Sequence, residues 1–394
     1  MKTKHILFIA ALLLVAIILP ANADKKNKSD KADKTASGKT VQSSEKKIAA
    51  YAIGFYNLEN LFDTIHAKGV NDYDFLPDGM YKWNTLKYTS KLRNMAKVLN
   101  ELGTDKVKAG CAVIGISEVE NRGVVQDLVN QDALKKRGYR ILHVDSPDRR
   151  GVDCAMLYNP RFFQLEDSLY VYYIYPQPEK GVPEGSVGFT QSDNGDINCL
   201  PLYGDTTHIT RGFLVGIGHM AGEQMAVIVN HWPSRGAESE ARERAAAQVY
   251  KLKEALLRKY PDIKIVIMGD LNDDPNNKSV VRELKCVTEQ DQAMNDSHKL
   301  YNPWYNMLYK VGQGTLTYQG KWNLFDQIII SGNLVNGNDY STLTYKNNEV
   351  FIRDYLLEQD GRYKGSPKRT TAGGTWLNGY SDHLPTCIYL VKER

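Results

Sequence analysis

The 394-residue sequence has five cysteines, Cys111, Cys154, Cys199, Cys286 and Cys387, and none are spaced as C-x-x-C. An odd number at those spacings excludes a zinc ribbon or a dense disulfide scaffold. Cys111, Cys154 and Cys387 sit in or beside apolar, strand-like runs and read as buried inert thiols. A Cys199–Cys286 bridge stays open only for an oxidising compartment. Long hydrophobic runs are also missing. The single one, Ile6 to Leu19, falls short of the roughly 20 apolar residues that a spanning helix needs. There is no internal repeat. Charge of one sign is scarce as well. The formal net charge is +4, but residues 1–47 hold ten lysines against four acidic residues, which leaves −2 for the rest. A body of that charge does not coat nucleic acid with cations, though it can belong to an enzyme that turns nucleic acid over.

What is present begins with a three-part leader. Lys2 and Lys4 precede the apolar run, and Pro20-Ala21-Asn22-Ala23 supplies an A-x-A cleavage pattern. This predicts a signal peptide over 1–23 and export to a periplasm or the extracellular space. No cysteine follows the cleavage pattern, which argues against a lipid anchor. Residues 24–47 are rich in Lys, Ser and Asp and nearly free of apolar side chains, the composition of a disordered linker. Residues 48–394 are then one large catalytic domain.

Apolar runs predict strands at Tyr51–Tyr56, Ala112–Ile116, Tyr139–His143, Val152–Tyr158, Phe213–Gly218, Met225–Asn230, Ile263–Met268, Leu324–Ile330 and Leu384–Leu390. Helical spacing of Tyr88, Leu92, Met95, Leu99 and Leu102 predicts a helix from Thr85, capped by Asn84 and stopped by Gly103. Further helices are expected over Val124–Lys136 and Ala237–Tyr260, the last ended by Pro261. Pro176–Asp205, rich in Gly, Pro, Asn and Asp, reads as a long surface excursion. Many strands follow one another without a helix between them, so two mixed sheets packed face to face are expected.

Polar residues recur where these apolar strands stop: Asn57 and Glu59, Glu118, Asp153, Asn230 and His231, Asp270 and Asn272, Asp326, then Asp382 and His383. Each alone is an ordinary loop residue. Together they make a hard-oxygen set that suits Mg²⁺ or Mn²⁺, with two histidines beside it. Asp326 stands in the apolar strand Phe-Asp-Gln-Ile-Ile-Ile and needs a partner, for which His383 is the natural choice. Arg150 and Arg235 are candidates to clamp phosphate oxygens. Asp153 either positions His231 or, like Asn230, contacts substrate. Trp232, Trp322 and Trp376 can stack a base or sugar, with core packing the better reading of Trp322. The basic run Arg362–Arg369 is either a substrate-facing loop or a solvated one. Glu120 and Asn121 read as solvated or capping, and Asp273 and Asp274 as turn residues.

In chain order the motifs are Phe55-Tyr56-Asn57-Leu58-Glu59-Asn60, Ser117-Glu118-Val119-Glu120-Asn121, Arg150-Gly151-Val152-Asp153, Asn230-His231-Trp232-Pro233, Gly269-Asp270-Leu271-Asn272, Phe325-Asp326-Gln327 and Ser381-Asp382-His383-Leu384-Pro385. Over about residues 51–391 this ordered series resembles the endonuclease/exonuclease/phosphatase superfamily. Pancreatic-type deoxyribonucleases, abasic-site endonucleases, neutral sphingomyelinases, deadenylases and inositol-polyphosphate 5-phosphatases belong to it. The resemblance implies a four-layer αββα sandwich with the site at one edge of the paired sheets. It implies Glu118 as the main Mg²⁺ ligand with Asn57 as its neighbour, and Asp382 and Glu59 on the metal side. Asp270 and Asn272 would orient the attacking water and hold a phosphate oxygen. His383 would be the essential histidine, its tautomer fixed by Asp326. His231 would be the second, which pancreatic-type deoxyribonucleases have and abasic-site enzymes replace.

The expectation is therefore a Mg²⁺- or Mn²⁺-dependent phosphodiester hydrolase, most simply an exported monomeric nuclease acting on DNA or RNA. A phosphatase or phosphodiesterase acting on a phospholipid or inositol phosphate is the alternative. A catalytically silent binding protein on the same fold is a third reading, against which the intact Glu118, Asp270, Asn272, Asp326 and His383 set argues.

Overall fold

The computed structural model describes residues 47–174, 190–191, 197–198 and 209–394. The expected signal peptide, nearly all of the linker, most of the Pro176–Asp205 excursion, and Cys199 with its suggested bridge lie outside the described residues. Numbering the strands of the two large sheets in chain order gives β1 (Ile48–Leu61), β2 (Cys111–Val119), β3 (Arg140–His143), β4 (Asp153–Tyr158), β5 (Phe163–Ile174), β6 (Ile209–Met220) and β7 (Glu223–His231). There follow β8 (Lys264–Asp270), β9 (Cys286–Val287), β10 (Leu300–Tyr301), β11 (Asp326–Ser331), β12 (Thr344–Val350) and β13 (Thr386–Glu393). One sheet runs β12-β13-β1-β2-β4-β3 and the other β9-β10-β11-β8-β7-β6-β5. Both are mixed: β1 pairs parallel with β2 and antiparallel with β13, while β8 pairs parallel with β7 and antiparallel with β11.

Alternation along the strands decides how the sheets stack. On β7, Val227 and Val229 join the core shared with the first sheet, whereas Ala226 and Ile228 join the core under a helix. On β8, Val266 and Met268 do the former and Ile265 and Ile267 the latter. Contact between the sheets is close at Gly115, where an added Cβ would lie 2.5 Å from the Met268 sulfur. The outer layers are α1 (Thr85–Glu101) and α2 (Arg122–Val129) on the first sheet and α3 (Ser239–Lys259) on the second. The molecule is thus a four-layer αββα sandwich.

The helix signals work as the sequence implied. Asn84 accepts from the Lys87 N–H, and Tyr88, Leu92, Met95 and Leu99 are buried. Gly103, at φ +76°, turns the chain where a Cβ would meet Ala52 at 2.9 Å. Asn121 caps α2 through the Val124 N–H. That helix is shorter than expected, stopping at Val129 before one separate turn at Lys135–Arg137. Asn130, Gln131 and Asp132 interrupt it, two of them residue types that compete with the helix for backbone hydrogen bonds. Strand β5 escaped the sequence reading. It is the edge of its sheet, and its Glu166, Asp167 and Ser168 mask the apolar alternation. No helix among the described residues is long and apolar enough to cross a membrane.

Candidate active site

Regular pairing brings three site residues into one row. Asp270, the last residue of β8, sits opposite Asp326 at the start of β11 and beside His231 at the end of β7. The first sheet ends alongside. Asn57 donates from Nδ2 to Asp270 Oδ2 at 3.0 Å, which ties the two sheet edges together. The loop before β13 delivers His383. Ser381 Oγ donates to the Asn57 carbonyl at 2.7 Å and accepts from the His383 N–H at 3.1 Å, so the loop is pinned to β1.

The first-sheet edge is irregular. The β1–β2 ladder slips between Asn57 and Leu61, and the β2–β4 ladder slips between Ser117 and Val119. Glu59, Asn60 and Glu118 occupy the left-handed region at φ +50°, +58° and +60°. Such conformations cost about 1–3 kcal/mol each for residues other than glycine, and bulges re-aim side chains at sheet edges. Here they carry Glu118 out of the ladder. Its Oε2 accepts from the Asn60 N–H at 3.0 Å. Its Oε1 faces His231 Nε2 at 3.6 Å and Arg150 Nη2 at 4.0 Å. No hydrogen bond reaches Oε1 among the described residues. An oxygen left open in this way is a fitting hard donor for a Mg²⁺-sized ion, and the Asn57 amide oxygen, which accepts from the Glu59 N–H at 2.9 Å, keeps a second lone pair.

The two histidines differ. His383 Nδ1 lies 2.7 Å from Asp326 Oδ2, and its Nε2 faces Asp270 Oδ2 at 3.8 Å and Asp382 Oδ1 at 3.9 Å. Burial opposes its charge, but the three carboxylates outweigh burial and hold the imidazolium pKa well above the ordinary value. His231 is pushed the other way by burial, then by Arg211, Arg150 and His383, and stays neutral. Its Nδ1 is buried and has no hydrogen-bond partner among the described residues, and its Nε2 points between Glu118 and Asp270. Burial likewise raises the Asp270 carboxyl above the usual carboxylate range, with Asp326 adding to the shift and His383 opposing it. Asp270 Oδ1 accepts from the Asn272 N–H at 2.9 Å, and the Asn272 side chain is fixed by donating to the Trp232 carbonyl at 3.0 Å.

Glu59 and Asp382 share a cation. Arg369 places Nε 3.3 Å from Glu59 Oε1 and Nη2 3.0 Å from Asp382 Oδ2. The Thr370 N–H donates to Glu59 Oε2 at 2.7 Å. Beneath them Lys91 of α1, fully buried, donates to Thr370 Oγ1 and to the Tyr380 carbonyl. Burial lowers Lys91 and raises Glu59, each partly offset by the other.

Several expected contacts fall elsewhere. Asp153 does not reach His231. It accepts from the Ser146 N–H at 2.9 Å and pairs with His143 Nε2 at 3.0 Å. Asn230 is fully buried. Its amide donates to the Ile228 and Met268 carbonyls and accepts from the Trp232 indole, so nothing is left for a substrate. Arg235 is committed to the Asn272 carbonyl, Asn323 and Asp274, with Phe325 at 4.2 Å under the guanidinium. Glu120 is buried and accepts from the Asp63 N–H, rather than being solvated. Asp274 does open the expected turn with Pro275, the Asn277 N–H donating to its carbonyl at 2.9 Å, and Asp273 and Asp274 are also ion-paired to Arg242 and Arg235. Trp232 is core, whereas Trp322, read as core, is 38% exposed on the hairpin Leu316–Tyr318/Lys321–Asn323. Arg150 does stand at the site, half exposed.

Sequence reading missed Lys91, Asp148 and Arg211. Arg211 bonds Asp148 at 2.8 Å and the His231 and Trp232 carbonyls, while Asp148 Oδ1 accepts from the Arg150 N–H. No local pattern marks Lys91 or Arg211, whose partners are remote in sequence, and Asp148, though bonded by the nearby Arg150 N–H, meets Arg211 only in the fold. A separate group, His143, Asp145 and Asp153, has its ligand atoms within 4.8 Å of one another. However, the two ring nitrogens face different carboxylates, Nε2 to Asp153 and Nδ1 to exposed Asp145, so the ring bridges them instead of joining them around an ion.

No curated protein sequence matches the chain. Among solved structures, an endonuclease/exonuclease/phosphatase family protein from Bacteroides thetaiotaomicron is similar with a TM-score of 0.51 at 15% identity, over 88% of this chain and 97% of that one. ANGEL2, a 2′,3′-cyclic phosphatase, is similar with a TM-score of 0.54 at 12% identity, over 88% and 96%. At these identities the likeness is one of fold. The profile described as Endonuclease/Exonuclease/phosphatase family matches residues 52–182 and 191–392. The chain therefore belongs to the endonuclease/exonuclease/phosphatase family and is a phosphoester hydrolase of the kind that generally depends on a divalent metal ion.

Proposed function

We propose that this hydrolase cleaves phosphodiester bonds of nucleic acid, that it uses Mg²⁺ or Mn²⁺ held by Glu118 and Asn57, and that it acts outside the cytoplasm after removal of residues 1–23. The observation that carries the chemistry is the row Asp326–His383–Asp270–His231 at the joined sheet edges. Asp270, its pKa raised by burial, takes a proton from the attacking water, because a base works best when its pKa lies near the working pH. Asn272, its amide oriented by one N–H donated to the Trp232 carbonyl, keeps its amide oxygen to orient that water. His383 enters the reaction already charged, so it donates through Nε2 to the phosphoryl group or the leaving oxygen instead of acting as the base. His231, neutral, hydrogen-bonds a second phosphoryl oxygen, and Arg150 neutralises charge at the rim. When bound, the metal ion supplies charge neutralisation at phosphorus and at the departing oxygen.

One rim feature favours nucleic acid over a lipid. Trp322 and Tyr318 are each 38% exposed on a hairpin rooted at the site, where the Leu384 N–H donates to the Thr315 carbonyl. Exposed aromatics next to a phosphoester site offer stacking surfaces for bases. The test is a substrate panel of plasmid DNA, linear DNA, RNA, sphingomyelin and inositol phosphates, with Mg²⁺ and with EDTA, using His383→Ala as the blank. Metal-dependent cleavage of nucleic acid is expected, and plasmid nicking would show endo action. Turnover of only the lipid or an inositol phosphate would replace the substrate and keep the site.

A further inference from the structure

Two of the acidic residues expected beside the metal are already neutralised by the chain itself. Glu59 is 4% exposed and Asp382 lies next to the catalytic histidine, and Arg369 bridges them at 3.3 and 3.0 Å. This is not a loose surface pair. Arg369 leads straight into Thr370, whose N–H is bonded to the other Glu59 oxygen and whose hydroxyl is bonded by Lys91. The Thr370 hydroxyl also donates to the Tyr380 carbonyl at 2.8 Å, closing the loop that carries Asp382. The guanidinium is therefore held by the buried Glu59 and by Asp382, and the chain that carries it is tied down through Thr370 by the buried Lys91. A planar donor fork matched to two carboxylates does not yield its place readily to a hydrated divalent ion, which must shed water to enter.

We infer that Arg369 is a resident cation occupying the Glu59–Asp382 pair, so that the site takes one divalent ion, at Glu118, and has no place for a second. The inference rests on the proposed function only in taking Glu118 as the metal ligand. It assigns Glu59 and Asp382 to holding Arg369 in place of holding metal. Arg369, half exposed, then stands beside the site as a fixed positive charge.

The experiment counts bound Mn²⁺ on the purified chain by electron paramagnetic resonance and calorimetry, without substrate. The wild type is expected to bind one Mn²⁺. Asp382→Asn should leave that affinity within about twofold, whereas Glu118→Gln should weaken it about tenfold or more, the scale set by losing even an outer partner of a metal site. Arg369→Met should bind a second Mn²⁺, lost again when Asp382→Asn is added. Two ions on the wild type, a tenfold loss in Asp382→Asn, or a single ion on Arg369→Met would each overturn the inference. Asp382 is partly exposed, so its variant keeps the test decisive if Arg369→Met does not fold. Mn²⁺ binding that ignores Glu118→Gln, or no binding at all, would instead remove the proposed metal ligand.

Discussion

The two sheet edges that meet at the site are built in opposite ways. In the second sheet β8 keeps register with both neighbours to its last residue, where Asp270 faces Asp326 and His231. The first sheet breaks register at both β1 and β2 and holds Glu59, Asn60 and Glu118 at positive φ. The regular edge carries Asp270, Asp326 and His231, whose mutual placement follows from the ladder, and the loop before β13 of the first sheet brings His383 to them. The irregular edge carries the carboxylates Glu59 and Glu118, and bulges aim them out of the pleat. Register gives precision between neighbours, while a bulge gives reach at a cost in backbone strain.

The largest effect should come from the regular edge. Asp270→Asn should lower turnover toward the upper end of the ~10²–10⁴-fold range for general acid–base groups. It should also raise the melting temperature at pH 8. The sign follows from the raised carboxyl pKa: folding is favoured by the protonated form below the unfolded pKa, and that advantage is lost as pH rises through the folded pKa. The amide escapes the loss. Unchanged turnover, or a lower melting temperature at pH 8, would break the assignment.

Next, Asp326→Asn should cost about 10²-fold and lower the His383 pKa, read by NMR titration of the imidazole. His383 contributes stability while charged, present at low pH and lost as pH climbs through its raised pKa, so Asp326→Asn should move that loss to lower pH. A titration unmoved by the substitution would mean that Asp270 and Asp382 alone hold the charge.

On the irregular edge, Glu118→Gln should shift the Mg²⁺ concentration for half-maximal activity about tenfold or more while leaving the His383 titration in place. An equal shift in both readouts would erase the division of labour between the edges. The smallest effect concerns Glu120, just past β2, whose carboxyl burial pushes up to about 7. The wild type should lose stability as pH rises from about 4.5 to about 7 through this group, and Glu120→Gln should flatten that part of the denaturation profile. An unflattened profile would show that Glu120 is ionised in the folded chain at neutral pH.

Sequence and structure meet differently in different elements. Helix α1 was legible because its cap, its apolar spacing and its stop are all local. The strand ends were legible because an apolar run followed by a carboxylate or histidine is itself a local signal. Strand β5 was hidden by charge at a sheet edge. Asn230 and Arg235 looked like substrate contacts because sequence shows a polar side chain but not whether its hydrogen bonds are already used. Arg369 was visible only as the end of a basic run, and its carboxylate partners lie 310 residues before it and 13 after it.

The sequence alone therefore determined the layered fold and the kinds of side chain that gather at one edge, since periodicity and strand-end chemistry are properties of short stretches. Tertiary structure decided which histidine carries charge, which carboxylates face an arginine instead of open space, and which amides are spent on the backbone. Those outcomes depend on burial and on distances between residues such as Asn57 and Asp270, 213 positions apart, and a pKa or a hydrogen bond is fixed only once such neighbours are in place.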